Sequence, residues 1–250
     1  MALKVVTHAE RPDLNDRWNE AADNVWPVFM LNDAVVGQYW GGLRRHFPDC
    51  QLYLLDDQTD TLLGVGNTGP VAWDGTVEGL PGGIDDVLTT AIGGHETASA
   101  PNTLCALQAA LLPGNTGQGL STVIIRGMRD VAARRGYPDL IAPVRPNQKT
   151  LYPLTPIERY IEWRRPDGLP QDAWLRVHAR LGAEIVRVAE RSMLIEGTVA
   201  EWEGWTGLVF PDSGPYVVAG ALVPVTIDRQ ADRGRYVEPN VWMRHRVVTP

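Results

Sequence analysis

The chain has 250 residues, 44% of them hydrophobic, with 25 glycines and 19 prolines, which suffices for one sizeable core and at most two domains. Its 23 basic and 30 acidic side chains leave a net charge of −7, arguing against a binder of nucleic acid or of anionic membranes. The composition also excludes disorder, a collagen repeat and a disulfide scaffold. Two cysteines, Cys50 and Cys105, suit a reducing compartment. No signal-like apolar run opens the sequence, and the longest apolar stretch, residues 217–225, is far short of the ~20 residues of a membrane helix. A soluble cytoplasmic protein is expected.

In chain order, residues 3–7 read as a strand, 12–23 as a polar helix and 33–46 as a second helix stopped by Pro48. Residues 51–56 and 62–67 are apolar runs joined by a turn-rich segment, a hairpin signal. A helix is expected near 85–92 and a long strand over 103–112. Leu120, Ile124, Met128 and Val131 then share one helical face, with Gly136 placed as a left-handed cap and Pro138 blocking continuation. Residues 140–144 read as a buried strand. The Pro- and aromatic-rich connection 147–170 is long enough to suggest a function. Asp172 is an N-cap for a helix to 181 ended by Gly182, and 184–189 with 193–199 predict a hairpin. From 201 onward, turns and short strands rich in Trp suggest an appended β segment.

The chemistry concentrates in Leu111-Leu112-Pro113-Gly114-Asn115-Thr116-Gly117-Gln118-Gly119-Leu120-Ser121-Thr122. Glycines entering a helix leave backbone N–H groups free at its positive end, which suits a phosphate or pyrophosphate. Gly114…Gly119-Leu120-Ser121 has Walker A spacing, but Leu120 stands where the lysine belongs. Gly117-Gln118-Gly119 is a dinucleotide fingerprint without its third glycine, and it falls mid-chain. Leu111-x-Pro113-x-x-Thr116-Gly117-Gln118-Gly119-Leu120-Ser121 fits better: it resembles the acetyl-CoA motif V-x-P-x-x-R/Q-G-x-G-x-G/A of the GNAT acetyltransferases, with Thr116 and Ser121 as departures. His178-Ala179-Arg180-Leu181-Gly182-Ala183 is similar to that family's Y-x-x-x-G-F signature. The resemblance covers residues 3–199.

The resemblance implies an α/β (α+β) GNAT-like fold, a mixed and mostly antiparallel central sheet flanked by helices, over residues 1–199. Residues 200–250 would be a β-rich C-terminal extension packed on it. It further implies transfer of an acetyl group from acetyl-CoA, as co-substrate, to a primary amine of a small molecule by direct attack. A non-catalytic acyl-CoA-binding module is the alternative. By position Ala109, Ala110 and Leu111 would line the pantetheine and thioester. Gly117, Gln118, Gly119, Leu120, Ser121 and Thr122 would cradle the pyrophosphate, and Asn147 would meet the CoA arm. His178 stands where the family's thiolate-protonating tyrosine does, with Tyr152 or Tyr160 as other donors.

The strand before the loop carries only Gln108 and the next strand no carboxylate, so a general base must come from elsewhere, Glu158 for one, or act through water. His8, His46, His95 and His245 show no metal spacing, and no metal is expected. Residues 120–187 hold 12 basic against 7 acidic side chains, whereas residues 1–119 hold 5 against 15. The first suits the anionic end of CoA and the second a cationic acceptor. Neither nucleic acid nor membrane is expected as a partner; a homodimer is open.

Overall fold

The turn residues of the N-terminal third give a meander. In the computed structural model, which describes residues 2–23, 25–93 and 100–247, β1 (Leu3–Thr7), β2 (Leu52–Asp56), β3 (Thr61–Val71) and β4 (Thr103–Leu111) pair antiparallel in sequence order. The β2–β3 turn contains Asp60 at a left-handed φ of 53°, and Arg11 and Arg17 hold its carboxylate. Helices α1 (Leu14–Ala21) and α2 (Ala34–His46) fill the β1–β2 connection, α2 beginning where Asp33 accepts the Val36 N–H. After β3 comes α3 (Ile84–Leu88), continued by a wide turn over Thr89–Gly93. The His95-Glu96 pair lies outside the described residues.

β4 leads into α4 (Leu120–Arg134), whose Leu120, Ile124, Met128 and Val131 are all buried on one face, as their spacing predicts. Gly136 follows at φ 71°. β5 (Asp139–Val144) then runs parallel to β4, the one parallel pairing among the described strands. The short α5 (Ile157–Tyr160) sits inside the long connection, and Asp172 caps α6 (Ala173–Arg180) by accepting from Trp174 and Leu175.

Two expectations change. Residues 184–189 and 193–199 are not the arms of a hairpin: β6 (Glu184–Gly197) runs straight through both, with an irregularity between Ala189 and Met193. The polar Glu190-Arg191-Ser192 reads as a turn but is a bulge held by the segment opening α3. Ser192 Oγ accepts the Ile84 N–H, and its Cα lies where a Cβ on Gly83 would come within 2.1 Å. Nor is the β-rich C-terminal stretch laid over a finished sheet. Its strand β9 (Arg233–Arg246) is interior, paired with β5 on one side and β6 on the other. Between β6 and β9, α7 (Val199–Thr206), β7 (Gly214–Tyr216) and β8 (Val225–Asp228) form an excursion, with β8 pairing the first residues of β9. The Trp-rich composition there has a packing cause: Trp202 and Trp242 are fully buried.

The sheet runs β1-β2-β3-β4-β5-β9-β8-β7, with β6 on the other edge of β9. Its two faces are separately filled. A Cβ on Gly64 or Gly66 would strike Ile124 of α4, whereas Val65 packs with Leu14 of α1. On β9, Val241 and Met243 pack with Leu175 of α6, and Trp242 joins the cluster of Phe29 and Leu43 on the opposite face. The result is a mostly antiparallel sheet between α4 and α6 on one side and α1, α2 and α3 on the other. No helix among the described residues is long and apolar enough to cross a membrane.

Candidate active site

β4 and β5 pair at two positions only, Leu104 with Leu140 and Cys105 with Ile141. Beyond them the strands part. The outer strands hold the gap open: β3 stays paired with β4 as far as Leu111, and β9 stays with β5 as far as Val144. The β5-facing backbone edge of β4 from Ala106 to Leu111 therefore has no strand partner, leaving a row of donors and acceptors for an extended ligand. Within this stretch Leu107 is an extra residue. Thr68 pairs with Ala106 and Asn67 with Gln108, so β4 bulges at the start of the gap.

At the end of β4 the Leu112 N–H donates to Leu63 O, and the chain enters the loop before α4. Gly114, Gly117 and Gly119 take φ values of 85°, 79° and 75°, conformations that side chains of L residues disfavour. A Cβ on any of them would meet no atom within 4 Å. The glycines thus serve a backbone shape open to solvent, not a close packing. No side chain caps α4, and Leu120 turns its own side chain into the core; the Thr122 N–H donates to Gly119 O, so the N–H groups left for a ligand are those ahead of it in the first turn. The loop braces itself through Gln118 Nε2, which donates to Gly114 O. An open strand edge running into uncapped helical N–H groups fits a ligand with an amide-bearing arm and a pyrophosphate.

No protein-family model matches the chain. It is 31% identical over 269 residues, spanning 96% of this chain and 92% of the relative, to a protein named arginine N-acetyltransferase avaD from Aspergillus versicolor. The chain belongs to the GNAT N-acetyltransferases. Two solved structures share the fold. The loading GNATL domain of CurA from Lyngbya majuscula has a TM-score of 0.54 at 16% identity, covering 99% of this chain and 98% of that one. A GphF GNAT-like decarboxylase in complex with isobutyryl-CoA has a TM-score of 0.58 at 13% identity, covering 99% and 100%.

In this N-acetyltransferase Ala109 and Leu111 are half-buried toward the α4 face of the gap. Ala110 turns its methyl to the α1 face beside Val65, and its carbonyl lies against Gly64 of β3, so the backbone groups of its neighbours Ala109 and Leu111 are the ones that face the gap. Ser121 and Thr122 lie in the first turn of α4, half-buried. Asn147 is exposed just past β5. Beside it the Gln148 N–H donates to Asp172 Oδ2, and the Ala173 N–H donates to Gln148 Oε1. Asp172 also accepts from the Tyr160 hydroxyl at 2.9 Å, which helps push that phenol's pKa up together with its burial. These bonds clamp the chain after β5 against the start of α6.

The three expected catalytic side chains do not converge. His178 is buried, with Nδ1 at 2.9 Å from His245 Nε2 and its ring edge-on to Trp174. Burial, then the neighbouring His245, lowers its pKa to about 3; burial and Arg129 lower that of His245 to about 4. Both rings are neutral near pH 7. Tyr152 is 44% exposed and stacks edge-on with Trp163, while Glu158 is exposed on α5. These two bracket Lys149. Its buried ammonium donates to the Tyr152 and Leu222 carbonyls, and burial, opposed by Glu158, lowers its pKa to about 8.

A polar cluster beyond β5 escaped the sequence reading. Arg145 Nε donates to both oxygens of the fully buried Glu238 at 3.0 Å, and its Nη2 reaches the Gly220 carbonyl. The Tyr236 hydroxyl donates to Glu238 and accepts the Leu222 N–H. Glu238 and Tyr236 sit on β9, inside the stretch expected to be an appendage, so no spacing tied them to Arg145. With Lys149 they pin residues 220–222 of the excursion onto the end of β5. A hollow of about 700 Å³ between α2, α3 and β6 lies away from the gap.

Proposed function

We propose that this protein moves an acetyl group from acetyl-CoA to a nitrogen of a small cationic acceptor, arginine being the first to test because the 31%-identical relative is named for it. The observation that carries the donor half is the unpaired β4 edge, residues 106–111, running directly into the glycine loop and uncapped α4. The thioester supplies the activated acyl carbon. Backbone groups of Ala109 and Leu111 hold the arm and polarise the acyl oxygen through an N–H. Backbone N–H groups from Gly117 to Ser121 hold the pyrophosphate, favoured by the helix dipole and the basic surplus of residues 120–187. Asn147, exposed beside the gap, meets the arm from the β5 side.

No carboxylate stands on β4 or β5 along the gap, so the acceptor's proton leaves through water, with Glu158 on the exposed connection as its nearest proposed sink. His178 supports the departing sulfur as a neutral N–H donor. A ring with a pKa of about 3 carries no proton to give at pH 7, so the proton itself comes from Tyr152 or solvent. Free, buried Cys50 and Cys105 support a reducing, cytoplasmic setting.

Free-thiol release from acetyl-CoA across a panel of amines, arginine included, tests the reading. Turnover with arginine or another cationic amine is expected, and its loss in Gly117→Glu and Gly119→Glu. A protein that binds acetyl-CoA and releases thiol with no amine would refute the catalytic assignment.

A further inference from the structure

The face of β3 and β4 opposite α4 carries two amides whose side chains show no hydrogen bond among the described residues. Asn67 on β3 and Gln108 on β4 are cross-strand partners, so their side chains project to the same face. That face is fixed by their neighbours. Val65, two residues before Asn67, packs with Leu14 of α1, and a Cβ on Gly69, two residues after it, would touch Leu43 of α2. The pair lies level with the Leu107 bulge, where β4 loses β5 and its edge opens. The two amides thus stand beside that open edge, on its α1–α2 side.

Asn67 is 7% exposed, yet its Oδ1 has no hydrogen-bond partner among the described residues, and Gln108 makes no side-chain bond either. A buried amide oxygen without a donor is a standing cost that folded proteins rarely carry without a reason. For one other pair of unpartnered atoms a local cause is visible. Asp33 Oδ2 and Asp85 Oδ1 are also unpartnered, but those carboxylates neighbour each other; burial raises both pKa values, and the charge of Asp33 raises that of Asp85 further. Asn67 has no such neighbour among the described residues.

We propose that Asn67 and Gln108 form the acceptor subsite, their amide oxygens receiving N–H groups of a primary ammonium or a guanidinium. This rests on the acetyl-transfer reading above and adds the acceptor contacts to it. Neutral amides suit the chemistry. A carboxylate in their place would hold the nitrogen as a cation, whereas an amide binds it without a counter-charge and leaves its proton free to depart. Two acceptors side by side also favour a nitrogen that carries at least two N–H groups over an N,N-dialkylated one.

Steady-state kinetics with arginine as acceptor, and calorimetry with acetyl-CoA, on N67L and Q108M test the subsite. The KM for arginine is expected to rise about tenfold or more in each variant, with acetyl-CoA affinity within about twofold of wild type. The thermal midpoint of N67L should hold or rise, since the orphaned oxygen is gone. Unchanged arginine KM in folded variants, or a parallel loss of acetyl-CoA affinity, overturns the subsite while acetyl transfer by the wild type stands. A wild-type protein that acetylates no amine overturns both. Q108M, at a half-exposed position, keeps the test decisive if N67L fails to fold.

Discussion

Where β4 runs out into residues 112–119, the site is made of backbone: three glycines with positive φ, an uncapped helix and an unpaired strand edge. Where β5 runs out into residues 145–152, it is made of side chains: Arg145 on Glu238, Tyr236 on Glu238, and Lys149 on two carbonyls. Backbone recognition tolerates almost any side chain that leaves the shape intact. Thr116 and Ser121 can therefore depart from the family motif without removing a donor. A buried ionic cluster tolerates very little, because each partner removed strands another in a low-dielectric interior.

The largest effect that should expose this contrast is on Glu238. E238L leaves Arg145 buried and unpaired, and urea unfolding should show a loss of about 3–5 kcal/mol. Acetyl-CoA affinity measured on the remaining folded protein should stay near wild type. Next comes the backbone end: G119E should weaken acetyl-CoA binding by about 100-fold in calorimetry, with a stability cost of only about 1–2 kcal/mol for the left-handed residue. If instead E238L abolishes donor binding, the two ends are not separate devices.

Acidity offers a finer cut between the two faces of the sheet. His178 and His245, on the α6 face, have folded pKa values of about 3 and about 4 against an ordinary 6.5. Their contribution is fully present above pH 6.5 and is lost as pH falls toward those values, because the unfolded chain then binds more protons. Asp85, on the α3 face, runs the other way. Burial, then the charge of Asp33, raises its pKa to about 7, so its contribution is present below its ordinary 3.8 and lost as pH rises through 7. Stability curves from pH 4 to 8 should show D85N gaining about 1 kcal/mol at pH 8. A His178→Phe/His245→Leu double variant should flatten the acid limb below pH 6.5. The smallest effect lies in the excursion. T198A removes the capping box of α7 and should cost about 1 kcal/mol, with the kinetic constants unmoved.

The backbone end was the legible one. Glycine spacing, an apolar face at Leu120, Ile124, Met128 and Val131, and a helix stop at Gly136 are local signals, and all lie where the structure uses them. The side-chain end was illegible for a physical reason: Arg145 and Glu238 meet only because β9 enters the sheet beside β5, a pairing between residues 93 apart that no local period records. The misread hairpin has the same origin. Glu190-Arg191-Ser192 looks like a turn until β9 is there to carry β6 past it and the start of α3 fills the bulge. Asn67 was visible only as the polar end of an apolar run, and its lack of a partner is a property of the assembled sheet.

The interior place of β9 also sets an order of events in synthesis. The β1–β4 meander and α4 can collapse as they emerge, since each of those strands pairs with one already made or next in line. β5 has only a two-residue hold on β4, and β6 has no partner at all until residues 233–246 appear. Until then two apolar strand edges stand open on the ribosome, an invitation to wrong pairing that falls to chaperones to cover. The glycine loop would be in place well before the wall opposite it. On the proposed assignment of that loop to the donor's phosphates, a nascent chain would hold them long before it could perform the transfer.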